Sequence, residues 1–498
     1  MRRVAARMLE AYSTEGIPMR HQHAYSINRR TFLASVGSAA VGSLLPGGRL
    51  AYGGQRRLVL AEADADLAGS PHPRTRVWAF NGRVPGPELR FKQGDRLAIE
   101  VENRLPQETT VHWHGIRLPN AMDGVPHLTQ KPIGPGETFT YAFDLPDAGT
   151  YWYHPHMMSA EQVGRGLYGA LIVEERKPIR VDRDVTWVLD DWRLDDNAQV
   201  DDGFGNMMDA SHAGRIGNTI TINGRAPEPF TVRRGERVRL RLINAANARI
   251  FGLEFAGHEP TVIAYDGHPV DPHALGSDRI VLGPAMRIDL VIDMMGKPGE
   301  RFTVTDSFYR RLTYPLVDVV YETEPLRDRP LDAPTALPPN TMPEPDLSNP
   351  LHHDVLFQGG MMSMMIEREM GGSPGMGRGM GSMMEMMRSG RVWRINGVAS
   401  VGHVMKPMLT VEHGRTVVMA MTNMTAWPHP MHLHGHAFRV ISRNGQPTRF
   451  REWQDTVLML ARERVEIAFV ADNPGDWMFH CHILEHQAAG MMGVIRVA

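Results

Sequence analysis

One short pattern occurs three times along the 498 residues of the chain. Each copy holds an Asn-Gly pair, then a glycine beside a charged residue, and an asparagine nine positions after that glycine; these glycines and asparagines are Gly94 and Asn103, Gly235 and Asn244, and Gly414 and Asn423. Between them apolar and polar residues alternate, as in residues 238–242, with the period of a half-buried strand. The repeat therefore predicts three copies of one all-β sandwich.

The three copies set the expected domain boundaries. We assign residues 1–52 to a leader, 53–176 to the first domain, 180–325 to the second and 351–498 to the third. Residues 326–350 are expected to be a linker, because the eight prolines between positions 325 and 350 favour a stiff, extended connection.

Composition narrows the chemistry. The 54 Lys and Arg residues nearly balance the 56 Asp and Glu residues, so no net field would recruit nucleic acid, and no apolar run after the leader is long enough to span a membrane. The single cysteine, Cys481, excludes an intramolecular disulfide. The 33 methionines and 23 histidines supply the thioether and imidazole groups that suit copper best.

The leader resembles a twin-arginine export signal. Arg29 and Arg30 precede a mildly apolar stretch at residues 32–45, and charge followed by an apolar segment is the order that such a signal needs. The alternative is an N-terminal arm without a targeting role. The signal predicts a periplasmic or otherwise exported protein.

Histidines occupy equivalent places in the first and third copies. A His-x-His pair begins nine residues after Asn103 and again nine residues after Asn423, and each domain has a second pair further on; the eight residues are His112, His114, His154, His156, His432, His434, His480 and His482. Strand residues two apart point to the same face, so each pair directs two imidazoles to one place. The middle copy has Leu253 and Phe255 instead. Four pairs at equivalent positions predict metal ligands.

The third copy adds a different ligand set. Cys481 lies inside the last histidine pair, and His429, His486 and Met491 are close to these pairs in sequence. Two imidazoles, a thiolate and a weak thioether are the ligands of blue copper centres. A lone cysteine is usually inert packing, but the flanking histidines argue against that here. The first copy has Pro155 at the equivalent place and therefore no such centre.

Together these motifs resemble those of the multicopper oxidases, in particular the three-domain bacterial branch of laccase-like and copper-resistance cuprous oxidases. The matching segments are His-Trp-His-Gly at 112–115, His-Pro-His at 154–156, His-Pro-Met-His-Leu-His-Gly-His at 429–436 and His-Cys-His-Ile-Leu-Glu-His at 480–486. The resemblance implies three cupredoxin-like Greek-key β-sandwich domains and four copper ions. It implies type 1 copper on His429, Cys481, His486 and Met491, type 2 copper on His112 and His432, and two type 3 coppers on His114, His154, His156, His434, His480 and His482.

The resemblance also implies the reaction. A reductant would give up one electron at a time at the type 1 site, and Cys481 would pass the electrons to a cluster between the first and third domains, where dioxygen is reduced to water. Glu485 and Asp123 match the family's proton-donor positions, and Asp455 is a candidate for orienting a ligand imidazole. The ordinary alternatives are a surface carboxylate for Glu485 and a turn residue for Asp123.

Eleven methionines and six glycines crowd into residues 361–387. The glycines interrupt any continuous apolar helix face, so we expect a flexible flap whose thioethers capture Cu(I), as similar inserts do in cuprous oxidases. The alternative is a disordered loop without a catalytic role. Just before His429 the chain reads Thr425-Ala426-Trp427, where cuprous oxidases often carry acidic and thioether residues. Trp427 is therefore a candidate for narrowing access to organic substrates.

The sequence alone leaves other functions open. A copper nitrite reductase needs no type 3 pairs, and a non-enzymatic scaffold is expected to have lost ligands. The main alternative to an oxidase is a periplasmic copper-binding or storage protein with little turnover. For an oxidase the acceptor is dioxygen, and the reductant is Cu(I), a phenol, Mn(II) or Fe(II). The histidines off the pattern, expected at the surface or in structural places, are His258, His268, His273, His352, His353, His403, His413 and His436.

Overall fold

The computed structural model of the chain describes residues 57–275, 279–334, 336–363, 366, 369–370, 388–402 and 406–498. The expected export signal and most of the methionine-rich segment lie outside the described residues, as does His403. Strands dominate the described part, and they form three pairs of packed sheets that we call the first, middle and third sandwich.

The first sandwich contains eight described strands. They are β1 (Arg57–Ala65), β2 (Thr75–Phe80), β3 (Leu89–Lys92), β4 (Arg96–Asn103), β5 (His112–His114), β6 (Thr138–Asp144), β7 (Gly149–His154) and β8 (Gly169–Glu174). One sheet has the order β2-β1-β4-β6 and the other β3-β8-β7-β5. A 3-10 helix, Asn120–Met122, and helix α1, Ser159–Gly164, lie in the connections. On β4 every second residue is buried, including Leu97 and Ile99, because the strand lays one face on the core.

The middle sandwich contains eleven described strands. They are β9 (Arg183–Trp192), β10 (Thr219–Ile222), β11 (Phe230–Val232), β12 (Glu236–Asn244), β13 (Phe251–Phe255), β14 (Thr261–Tyr265), β15 (His268–Ala274), β16 (Ile280–Leu282), β17 (Arg287–Met294), β18 (Arg301–Asp306) and β19 (Tyr314–Tyr321). The sheets have the orders β10-β9-β12-β17-β14-β15 and β11-β19-β18-β13-β16. Helix α2, Met207–Ser211, begins after Asn206, whose side chain accepts the amide hydrogen of Asp209 at 2.9 Å.

The third sandwich contains twelve described strands. They are β20 (Leu351–Gly359), β21 (Trp393–Ile395), β22 (Leu409–Val411), β23 (Thr416–Asn423), β24 (His429–Leu433), β25 (Phe438–Arg443), β26 (Gln446–Pro447), β27 (Trp453–Gln454), β28 (Thr456–Met459), β29 (Arg464–Val470), β30 (Gly475–Cys481) and β31 (Met492–Val497). The sheets have the orders β21-β20-β23-β29-β25-β26, with β27 also on β25, and β22-β31-β30-β24-β28. Helix α3, Leu484–Ala488, follows β30, the strand that ends at Cys481.

The three sandwiches repeat one topology. In each, the opening strand lies parallel to the strand that follows the repeated glycine: β1 with β4, β9 with β12 and β20 with β23. A second parallel pair also recurs, β3 with β8, β11 with β19 and β22 with β31. The remaining pairs are antiparallel, as Greek-key sandwiches require. The predicted fold class, three repeated all-β sandwiches, is confirmed.

Strand β12 departs from the half-buried pattern that its sequence predicts. All nine of its residues are buried, including its three arginines. Arg239 contacts Glu175 at 2.8 Å and Asp289 at 2.7 Å, while Arg241 contacts Asp184 at 2.7 Å. The polar face of β12 is therefore covered by carboxylates, including one from the end of the first sandwich. The alternating pattern makes these arginines look solvent-facing, but in the structure they form a buried charge network. Their burial is tolerated because each arginine is paired with a carboxylate.

The proline-rich connection crosses all three sandwiches. Its described residues between the last strand of the middle sandwich and the first strand of the third form no strand or helix. Asn340 exchanges hydrogen bonds with the backbone of Ala148 at 2.9 Å, and Glu344 pairs with Arg439 at 2.8 Å. Within the described residues, no helix has the length and apolar character needed to cross a membrane.

Candidate metal centre

Four strands bring the eight paired histidines together where the first and third sandwiches meet. In the first sandwich β5 lies beside β7, so that His112 is opposite His154. In the third sandwich β24 lies beside β30, so that His432 is opposite His480. The two halves then face each other, with the rings of His114 and His432 stacked at 3.7 Å. All eight histidines are buried.

The ligand nitrogens fall into three triplets, two of which share His114, and within each triplet they lie no more than 4.8 Å apart. These triplets are His112, His114 and His432; His114, His154 and His482; and His156, His434 and His480. Each triplet takes residues from both the first and the third sandwich. The structure therefore brings together every histidine that the paired pattern had singled out.

The hydrogen bonds of two histidines test whether a cation fits between them. His434 donates from Nδ1 to Asp123 at 2.9 Å, and His480 donates from Nδ1 to the carbonyl of Cys481 at 2.9 Å. Their Nε2 atoms, which then carry lone pairs, face each other at 3.0 Å. Two bare nitrogens at this separation repel each other unless a cation lies between them or one takes a proton. Further buried ring nitrogens of the group have no hydrogen-bond partner, namely those of His112, His114, His154, His432 and His482.

The electrostatics favour neutral imidazoles, the form that binds metal. Burial is the largest cause that lowers the pKa of these histidines below the ordinary 6.5, and for most of them a neighbouring imidazole is the next; the residues are His114, His154, His156, His429, His432, His434, His480, His482 and His486. For His486 the pKa falls to about 3. The donor set therefore fits a soft or borderline cation such as copper.

A second cluster surrounds Cys481. Its Sγ lies 3.5 Å from Nδ1 of His429 and 3.8 Å from Nδ1 of His486, and the two Nδ1 atoms are 3.1 Å apart. Burial raises the pKa of the Cys481 thiol, so a metal ion is needed to hold it as a thiolate. Met491, the fourth expected ligand, is fully buried and accepts the amide hydrogen of Cys481 on its carbonyl at 3.0 Å.

The outer nitrogens of this cluster are fixed by neighbours that the sequence did not indicate. His486 donates from Nε2 to the carbonyl of His212 at 2.7 Å, and His429 meets the Thr425 hydroxyl at 2.9 Å. These contacts leave both Nδ1 atoms free on the side of Cys481. Trp427, the residue expected to narrow access, lies with its ring 5.3 Å from that of His212 and donates to the carbonyl of Met361 at 3.4 Å.

The two predicted proton donors lie in different surroundings. Asp123 is buried beside the paired histidines, where it accepts from His434, and its carbonyl accepts from His112 at 2.8 Å. Glu485 is buried on α3 and accepts from the Asn247 side chain at 2.9 Å and from the amide of Arg215 at 3.1 Å. Burial raises the pKa of Glu485. Glu485 is therefore not the surface carboxylate of its alternative interpretation. Asp123 does end the 3-10 helix before Gly124, as its alternative expects, but its carboxylate also contacts a paired histidine.

Asp455 lies at the paired histidines, as its motif suggested. Its Oδ1 accepts from Nε2 of His114 at 3.0 Å, and its backbone carbonyl accepts from Nδ1 of His432 at 2.8 Å. Sequence reasoning missed its partners, Arg287 and Asp266, because both belong to the middle copy, where no histidine pattern drew attention to them. Asp266 precedes a glycine and looks like a turn residue in the sequence.

The chain is similar to known multicopper oxidases over most of its length. Residues 63–178, 183–330 and 381–498 each match a family of multicopper oxidase domains. Over 461 residues the chain is 32% identical to the multicopper oxidase MmcO of Mycobacterium tuberculosis, covering 86% of this chain and 84% of that protein. It is 26% identical to copper resistance protein A of Escherichia coli, over 94% of this chain and 99% of that protein. The crystal structure of a multicopper oxidase from Pseudomonas thermotolerans covers 89% of this chain and 99% of its own, with a TM-score of 0.77 and 34% identity.

Proposed function

Because the chain belongs to the multicopper oxidase family, and is thus an oxidoreductase that passes electrons from a reductant to oxygen, we propose that its two clusters together hold four copper ions. The observation that carries this proposal is the convergence of buried imidazole nitrogens that face one another, exemplified by the Nε2 atoms of His434 and His480 at 3.0 Å. A storage protein with little turnover is not favoured, since the relatives are named as oxidases.

The proposed assignment follows the family pattern. Type 1 copper takes His429, Cys481, His486 and Met491; type 2 copper takes His112 and His432; and the two type 3 coppers take His114, His154 and His482, and His156, His434 and His480. The type 3 pair is supported by the two triplets His114, His154 and His482, and His156, His434 and His480, each of which contains histidines from both the first and the third sandwich. When bound, the copper ions supply one-electron redox chemistry and the site where dioxygen is reduced to water.

The protein's own part in electron transfer is the strand that carries Cys481. Successive strand residues point to opposite faces, so Cys481 points to one side of β30 while His480 points to the other. The two clusters are thereby joined by consecutive residues of one chain segment. Burial of Cys481 keeps water and adventitious oxidants away from the sulfur.

We assign proton supply to Asp123 and Glu485. Asp123 contacts the paired histidines directly, and Glu485 is tethered between Asn247 and Arg215 of the middle sandwich. Both are buried carboxylates, able to hold or release a proton where four protons are consumed for each dioxygen reduced.

The proposed reductants are Cu(I) and electron-rich phenols, with Mn(II) and Fe(II) as further candidates. The methionine-rich segment supports Cu(I), since thioethers select the reduced ion, and one similar protein is named copper resistance protein A. Its described beginning lies by the cysteine site: the amide of Met361 donates to the carbonyl of Ser211, the residue before His212. Trp427 flanks the same place and would limit the approach of bulky phenols.

We also propose export through the twin-arginine route and a periplasmic or other extracytoplasmic location. Arg29, Arg30 and the apolar stretch after them support it. Cell fractionation of the wild-type chain and of the R29K/R30K variant tests it. Retention of the variant in the cytoplasm is expected, and equal export of both would contradict the proposal.

Purified protein reconstituted with copper tests the oxidase assignment. We expect four copper ions per chain, a strong blue thiolate absorption, a type 2 electron paramagnetic resonance signal and dioxygen consumption with Cu(I) or a phenol. Fewer than four coppers per chain, or full copper without dioxygen consumption, would contradict it.

A further inference from the structure

An arginine of the middle sandwich is linked to the paired histidines through Asp455, although that sandwich supplies none of the proposed metal ligands. Arg287 opens β17, and its guanidinium is fully buried between the three sandwiches. It donates to both carboxylate oxygens of Asp455, at 2.8 Å from Nη1 and 2.6 Å from Nη2. This two-pronged contact fixes the plane of the carboxylate as well as its position.

Asp455 determines which nitrogen of His114 carries the proton. A carboxylate only accepts hydrogen bonds, so Nε2 of His114, 3.0 Å from Oδ1, must be the protonated nitrogen. Its Nδ1 is then bare, buried and without a hydrogen-bond partner. Five other histidines of the cluster have the reverse arrangement, with Nδ1 bonded to an oxygen and Nε2 facing the cluster: His112, His154, His432, His434 and His480.

Asp266 holds the backbone on which Asp455 sits. Its Oδ2 accepts the amide hydrogens of Asp455 at 3.1 Å and Thr456 at 3.0 Å, and its Oδ1 accepts that of Arg287 at 2.9 Å. The carbonyl of the same Asp455 receives Nδ1 of His432 at 2.8 Å. One residue thus sets opposite tautomers in two cluster histidines, through its side chain for one and its backbone for the other.

The glycine after His114 shows how closely the guanidinium approaches. Gly115 has φ of +86°, and a Cβ added there would lie 2.3 Å from Nη2 of Arg287 and 2.5 Å from Oδ2 of Asp455. Any larger residue would push the pair away from the histidine strand. The glycine of the His-Trp-His-Gly motif is therefore needed to admit a group from the middle sandwich.

We propose that Arg287 and Asp266 are positioning residues of the histidine cluster: through Asp455 they hold His114 with Nδ1 bare and His432 with Nε2 bare, ready to bind metal. The proposal rests on the proposed copper assignment. It gives the middle sandwich a defined task in building a site to which it contributes no ligand. Changing a residue that hydrogen-bonds to a metal ligand alters the metal affinity by roughly 10- to 100-fold.

The variant Arg287→Lys tests the proposal, because it keeps the charge and removes the two-pronged contact. Arg237→Lys is the matched control: Arg237 is also buried and two-pronged on its partner, Asp293, which lies on the same strand as Arg287. We measure copper per chain, the blue absorption, the type 2 resonance signal and the melting temperature of the copper-free protein, for each variant and for the wild type.

We expect Arg287→Lys to keep the blue absorption, to bind cluster copper about 10- to 100-fold more weakly and to show an altered type 2 signal. Arg237→Lys should have a similar loss in melting temperature with full copper and an unchanged signal. Full copper and a wild-type signal in Arg287→Lys would overturn the proposal, as would loss of blue and cluster copper together. Fewer than four coppers in the wild type would instead contradict the proposed function.

Two further measurements answer the question if Arg287→Lys does not fold. Asp266→Asn keeps the Arg287 and Asp455 pair but places an amide group against backbone donors, and it should show the same selective loss of cluster copper. Neutron diffraction of copper-free wild-type crystals locates the proton directly. Deuterium on Nε2 of His114 and none on Nδ1 is expected, and deuterium on Nδ1 would overturn the proposal.

Discussion

His486 donates from Nε2 to the backbone carbonyl of His212 at 2.7 Å, so a residue of the middle sandwich covers the outer edge of the cysteine site. The partner is a neutral carbonyl rather than a carboxylate. His486 is fully buried whereas His212 and Trp427 are half-buried, so at the proposed type 1 site an electron donor would meet these two residues first.

Replacing Cys481 by serine should abolish the blue absorption and the oxidase activity. The chain has no other thiol, and a serine hydroxyl does not supply the thiolate of a blue copper centre. Copper analysis should find one ion fewer per chain, with the histidine cluster still filled. The far-ultraviolet circular dichroism of the copper-free variant should match that of the wild type, and a blue band that survives the substitution would contradict the type 1 assignment.

Replacing Glu485 by glutamine should slow dioxygen reduction by roughly 100-fold or more, because the amide carries no exchangeable acid proton. Anaerobic reduction of the blue centre, followed by stopped flow, should be unchanged. Glu161→Gln is a suitable control, since Glu161 lies on the adjacent helix α1 and pairs with Arg165 at 2.9 Å. If reduction of the blue centre slowed as much as turnover, Glu485 would belong to the electron path instead.

Deleting residues 361–387 should lower Cu(I) oxidation and raise oxidation of bulky phenols. Cu(I) oxidation should fall because the thioether ligands are lost, and phenol oxidation should rise because phenols gain access to the cluster around Cys481. A change of roughly tenfold in either rate corresponds to about 1.4 kcal/mol. A variant with leucine at every methionine of the segment keeps the bulk and should lose only the Cu(I) activity. Steady-state rates with both donors decide the matter, and unchanged Cu(I) kinetics would remove the segment from the mechanism.

The pair of buried Arg241 and half-buried Asp184 should make stability depend on pH in acid. Burial raises the pKa of Asp184, but Arg241 outweighs it and holds the pKa well below the ordinary 3.8. At a pH above the ordinary pKa of 3.8 the pair stabilises the fold fully. This stabilisation is lost progressively as the pH falls from there towards the lowered pKa of the folded chain, because in that range the unfolded chain takes up the proton and the folded chain does not.

In urea unfolding of the copper-free protein, Asp184→Asn should therefore be less stable than wild type by about 3 kcal/mol at pH 7, and this gap should shrink towards pH 2. Asp144→Asn, which removes an exposed partner of Arg96, should show little effect at either pH. A gap that stays constant with pH would contradict the interpretation.

The sequence predicts the ligand positions because strands have a period of two. Once the repeat aligned the copies, the four His-x-His pairs stood at equivalent places, and the structure brings all eight histidines together. Only the pair on β5 lies wholly on a strand, because His156, His434 and His482 follow the ends of theirs. The cysteine set was recognisable for the same reason, since His480, Cys481 and His482 alternate along one segment. Local periodicity was enough in both cases.

The contacts that hold these ligands were not predictable in this way. Arg287 contacts Asp455 from 168 positions away in the sequence, and His212 contacts His486 from 274 positions away. Such contacts depend on how the sandwiches dock, which strand periodicity does not encode. The arginines of β12 misled the sequence interpretation in part for the same reason: besides aspartates of their own sandwich they contact Glu175 and Thr150 of the first sandwich, and not solvent.

The division of the paired histidines between the first and third sandwiches has a consequence for how the protein is assembled. Neither end of the chain alone presents a complete triplet, so tight metallation has to wait until the two ends have docked. By mass action, metal that binds only the docked form must in turn strengthen docking. Copper bound at the proposed site would therefore hold the beginning and the end of the polypeptide together, and the metal supply during maturation would influence how firmly the chain is closed.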